Sequence, residues 1–103
     1  MPLYLRFPSA DLRAICECRA AAEQLLGKVA ARKLRARLSD IRAASDIRQV
    51  VLGRPSFSLR GRVVFLLSAD HRLVVAADAP IPRQPDKQID WGQVNIFEVV
   101  EIL

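Results

Sequence analysis

The stretch LRGRVVFLLSADHRLVV, residues 59–75, holds the side chains best suited to chemistry on an anion: Arg60, Arg62, His71 and Arg72. A guanidinium is permanently charged and presents a planar fork of donors that matches phosphate oxygens. An imidazole titrates near neutral pH and can give or take a proton. The same four residues also suit the solvated rim of an ordinary β-hairpin, because Arg60 and Arg62 flank a glycine turn. Adjacent residues of a strand point to opposite faces, which sets His71 and Arg72 on different sides of a sheet. At this level the working surface and the solvated rim both stand.

A second basic group lies upstream. Residues 28–42, KVAARKLRARLSDIR, carry Lys28, Arg32, Lys33, Arg35, Arg37 and Arg42 against the single carboxylate of Asp40, whereas the segment from residue 86 onward leans acidic. Such a stripe is an electrostatic footprint for a phosphate backbone or an acidic protein segment, and equally a solvated helix face. The net charge of the chain is +5.

Composition narrows the class of protein. The chain of 103 residues is half hydrophobic and about a quarter charged, enough for one domain with one core and no disulfide or metal staple. The longest apolar run, VVFLL at 63–67, is far below the roughly 20 residues of a membrane span, and the first residues lack a signal-peptide pattern. A cytoplasmic location is the expectation. Cys16 and Cys18, two apart on a helix, point about 200° apart and are expected to stay as structural thiols. With one histidine in the chain, no zinc site is expected.

The elements that must carry these residues follow from periodicity. Residues 2–7, PLYLRF, alternate as a short strand. A helix then runs from a Ser9 N-cap, with Asp11 in its first turn, to Gly27. Its apolar stripe of Leu12, Ile15, Cys16, Ala20, Leu25 and Leu26 is irregular. A second helix over 28–44 buries Ala30, Leu34, Leu38 and Ile41 and turns its arginines outward. Joined at one glycine, the two helices should form an antiparallel hairpin.

Residues 46–51 suit one further helical turn. Three strand-like runs follow, FSLR, RVVFLLS and HRLVVAA, whose short turns at Gly61 and at Ala69-Asp70 require antiparallel pairing. Residues 78–88 read as an exposed proline-rich loop, with Trp91 anchoring it to the core. A long last strand spans 94–102, and at a sheet edge it would offer strand-to-strand dimerisation. Helices first and strands later argue an α+β fold, a helical hairpin packed on a twisted antiparallel sheet of about four strands.

Six of these stretches together resemble the RelE/ParE superfamily of toxins, in its HigB-like branch: LRAIC (12–16), ARKLRARLSDIRAA (31–44), GRP (53–55), LRG (59–61), HRLVV (71–75) and IDW (89–91) ahead of the last strand. The resemblance spans nearly the whole chain in order. It implies a RelE-like fold and a metal-independent, cofactor-free endoribonuclease that cuts messenger RNA on the ribosome. It also implies neutralisation by a helix-turn-helix antitoxin of the HigA-like kind.

In such a reaction an RNA 2′-hydroxyl attacks the adjacent phosphate, and cations stabilise the charge that builds there. Arg72 matches the arginine after the aromatic position of the family's YRL strand and is the candidate catalytic cation. His71 stands where that aromatic usually does and is the candidate for proton transfer. Arg54, Arg60 and Arg62 are candidate RNA contacts, and Arg32, Arg35 and Arg37 candidate contacts for an acidic antitoxin segment. The chain departs from the family pattern in three places. SFS (56–58) stands where a histidine is common, the basic insert after the LRG turn is missing, and no aromatic–histidine tail follows residues 99–102. An antitoxin-binding relative that no longer cleaves, or an inhibitor of DNA gyrase of the ParE kind, therefore stands beside the nuclease.

Overall fold

The computed structural model describes residues 2–103. It is an α+β arrangement of three helices and a five-stranded mixed sheet in the order β1-β5-β4-β3-β2. Strand β1 (Tyr4–Arg6) is followed by α1 (Ala10–Glu17), α2 (Arg19–Leu26) and α3 (Lys28–Ala43), then by β2 (Ser56–Phe57), β3 (Arg62–Leu66), β4 (Arg72–Ala77) and β5 (Ile96–Ile102). No helix among the described residues is long and apolar enough to cross a membrane.

The expected first helix begins as read, with Ser9 Oγ accepting from the Leu12 amide at 3.3 Å. It does not continue to Gly27. The chain leaves helical geometry at Cys18 (φ −112°, ψ 112°) and restarts as α2. The irregular apolar stripe is the reason: Cys16 and Ala22 are six residues apart and cannot share one helical face. After the break Ala22 and Leu26, at i and i+4, both reach the core, while Ala20 and Leu25 are left exposed. Gly27, at φ 84°, joins α2 to α3 in a conformation that residues with a Cβ rarely adopt. Helix α3 buries Ala30, Leu34, Leu38 and Ile41 as its spacing predicts, together with Ala31. The turn after it, Ile47–Gln49, is a single 3₁₀ turn capped by Asp46, whose carboxylate accepts from the Arg48 amide at 2.9 Å.

The sheet is not wholly antiparallel. Strand β1 pairs parallel with β5, with Tyr4 opposite Ile96 and Arg6 opposite Glu98. Nearly the whole chain separates β1 from β5, so no hairpin dictates its direction, and the intervening chain serves as the crossover a parallel pair needs. Strand β5 consequently lies between β1 and β4, not at an edge. The β3–β4 and β4–β5 pairs are antiparallel. A bulge at Val74/Val75 opposite β5 lets Val99 and Ile102, three residues apart, both turn toward the core.

One face of the sheet presents Val63, Phe65, Leu73, Val75, Phe97 and Val99, and these pack with Leu34, Leu38 and Ile41 of α3 in a single core. Trp91 seats the end of the proline-rich segment against it. Its ring stacks on Phe97 at 6.4 Å and meets Phe57 edge-on at 5.1 Å. That segment is not wholly irregular, since Arg83 and Ile89 form an isolated bridge and Ile89 is buried.

Candidate functional site

Alternation along β3 and β4 places Arg62 and Arg72 on the face opposite the core, with Val64, Leu66 and Val74. The register separates the two arginines. Arg62 stands opposite Ala76, and Arg72 opposite Leu66. They stand four steps apart along the ladder, about 13 Å at strand rise. Arg60 belongs to the Arg62 end, in the turn at Gly61, whose carbonyl accepts from the Ala77 amide at 2.7 Å. The hairpin therefore does not bring its four polar residues into one pocket.

His71 lies just before β4 and is half-buried. Its Nδ1 is 3.2 Å from the main-chain oxygen of Leu103, which also accepts from the Arg72 amide at 2.9 Å. A carbonyl oxygen can only accept, so Nδ1 carries the proton and Nε2 is the free acceptor. In that tautomer the imidazole can take a proton at Nε2. Arg72 turns to the other face, so the two form no acid–cation pair around a single phosphate.

Arg54 joins the Arg72 end. The Leu66 amide donates to the Gly53 carbonyl at 2.7 Å, bringing residues 53 and 54 beside the end of β3. Gly53 and Arg54 are both left-handed, at φ 83° and 48°. This conformation is costly for a residue with a side chain, and it ends the β2 ladder before it can lengthen. Between Asp46 and Asp70 the chain has four arginines and no carboxylate.

The arginines of α3 do not form one outward face. At about 100° per residue, Arg35 and Arg37 point to nearly opposite sides of the helix. Arg35 lines a groove of about 370 Å³ with Cys16, Glu17, Leu38, Ser39 and Arg42. Lys28, Arg32, Arg35 and Arg42 share this side of the helix by their spacing. Burial pushes the Cys16 thiol up to about 11, against the opposing charge of Arg42. Glu23, hydrogen-bonded by Arg19 and facing the charges of Lys28 and Arg35, is held below the usual carboxylate range.

Arg37 corrects the expectation of outward arginines. Its side chain is only 11 % exposed, because it flanks the buried stripe and is covered by the turn at Leu52 and Gly53. A Cβ on Gly53 would stand 3.2 Å from Arg37 Cδ. Arg37 Nη2 is 3.4 Å from Asp40 Oδ2, and Arg37 Nε is buried with no hydrogen-bond partner among the described residues. With Lys33, Leu52, Gly53 and Leu66 it lines a groove of about 230 Å³. Sequence reading missed Lys33 as its partner, although the i, i+4 spacing to Arg37 was the available signal.

No protein-family profile, curated protein or solved structure matches the chain.

Proposed function

We propose that the protein is the toxin component of a type II toxin–antitoxin module, of the RelE/ParE kind and HigB-like branch. In this reading the domain acts in the cytoplasm as a metal-independent endoribonuclease on ribosome-bound messenger RNA. The six sequence stretches that resemble the family support it, as does the sequence of helices packed on a sheet. The observation that carries it is the placement of Arg72. It is a permanent cation at the start of a central strand, exposed on the face opposite the core and free of any carboxylate within 4 Å among the described residues. Such a group can meet a phosphate without first giving up a partner. Arg54 and Arg62 flank it at different distances as backbone-phosphate contacts.

The partner is a helix-turn-helix antitoxin with an acidic segment, seated on the Lys28, Arg32, Arg35 and Arg42 side of α3. The separation of His71 from Arg72 favours a second reading, a relative that binds antitoxin and RNA but does not cleave. Inducible expression in a bacterial host separates these. Growth arrest that is relieved by a co-expressed neighbouring antitoxin candidate and lost in Arg72→Ala supports the nuclease. Unimpaired growth with a folded, antitoxin-binding protein favours the second reading.

A further inference from the structure

The groove between α3 and the turn at Leu52 and Gly53 is lined by Lys33, Arg37, Leu52, Gly53 and Leu66, and Arg72 is not among its residues. It holds more positive charge than the protein itself compensates. Lys33 and Arg37 stand one helical turn apart, where like charges repel. Arg37 is almost covered, and among the described residues its Nε has no partner and its one carboxylate neighbour is Asp40, 3.4 Å from Nη2 and well exposed to solvent. A covered guanidinium with an unpaired Nε and so weak a counter-ion is costly, and an anion that meets the guanidinium from the groove offsets part of that cost.

The rim is built to allow that entry. Gly53 has no side chain where a Cβ would press on Arg37, and its left-handed backbone suits glycine. The space of about 230 Å³ exceeds several times the roughly 30 Å³ that a water occupies in the liquid. It accommodates a tetrahedral oxyanion with some of its hydration. Lys33 and Arg37 stand against the carboxylate of Asp40, which leaves a net positive site for an entering anion.

We propose that this groove binds a phosphate group, held by Lys33 and the Arg37 guanidinium. The site does not rest on the toxin reading. The phosphate comes either from a small phosphorylated molecule or from the phosphorylated end of a nucleic acid.

The test follows the Arg37 Nε–H resonance by NMR in the full chain during titration with inorganic phosphate, against sodium chloride at matched ionic strength. The expected result is a saturable shift with phosphate that chloride does not reproduce, with affinity weakened about tenfold in Lys33→Gln. Lys33 is exposed, so this variant keeps the fold. Arg72→Ala, which disables the proposed toxin activity, leaves the shift in place, so the two readings fail separately. A 5′-phosphorylated RNA oligonucleotide that binds tighter than its 5′-hydroxyl counterpart identifies a nucleic-acid end. Equal behaviour of the two oligonucleotides, with phosphate still bound, identifies a small molecule. Chloride matching phosphate, or Lys33→Gln binding phosphate as the parent does, overturns the site.

Discussion

The main-chain oxygen of Leu103 accepts two hydrogen bonds from consecutive residues, 2.9 Å from the Arg72 amide and 3.2 Å from His71 Nδ1. One acceptor thus fixes the start of β4 and the tautomer of the histidine together. Long-range ¹H–¹⁵N spectra of the neutral ring are expected to show the proton on Nδ1 and an unprotonated Nε2. The reverse tautomer would mean that this hydrogen bond is not made in solution.

Gly61 is strained territory for any other residue. Its φ is 90°, and a Cβ there would lie 2.9 Å from Ile81 Cδ1. Gly61→Ala is expected to cost about 1–3 kcal/mol in urea unfolding. Adding Ile81→Val should recover the steric part and leave the backbone part. Full recovery in the double variant would show that the left-handed conformation carries no cost.

The two arginines of α3 predict opposite responses. Arg35→Glu changes a group on the solvent side and should alter stability by less than about 0.5 kcal/mol, while weakening any acidic partner in a salt-dependent way. Arg37→Met removes a covered, poorly compensated charge at similar volume. In phosphate-free buffer it should be neutral or stabilising by about 1 kcal/mol. A loss of several kcal/mol in Arg37→Met would show that the guanidinium is well satisfied where it lies.

Cys16 gives a pH signature. Its thiol, ordinarily near 9.0, is raised to about 11 by burial. Between those values the unfolded chain loses this proton and the folded chain keeps it, so stability falls as pH rises from about 9 to 11 and is flat in this respect on either side. Two units correspond to roughly 2–3 kcal/mol. Cys16→Ala should remove that slope. At pH 8 iodoacetamide should label the exposed Cys18 and spare Cys16.

What the sequence made legible was local. The α3 face, the Ser9 cap, the β3–β4 hairpin and the anchoring of Trp91 all rest on short-range spacing or turn chemistry. Each of the five strand-like stretches does pair. The parallel β1–β5 contact was not legible, because its partners lie some ninety residues apart in the chain and no turn couples them. The break at Cys18 was signalled by the irregular stripe but not located by it. Arg37 was misread because periodicity predicts which face of a helix is apolar, not which loop folds over the border of that face. For the same reason the site residues emerged as three separate groups: Arg72 with Arg54, Arg62 with Arg60, and the α3 arginines divided between two grooves.

The central claim concerns Arg72, and the most direct measurement is a transcript-wide map of messenger RNA ends after brief induction in a bacterial host, for the parent chain and for Arg72→Ala. The account predicts codon-phased cuts in translated messages that depend on translation and vanish in the variant while the variant remains folded. Cuts that persist in Arg72→Ala, or intact messages from a folded parent chain, would contradict it.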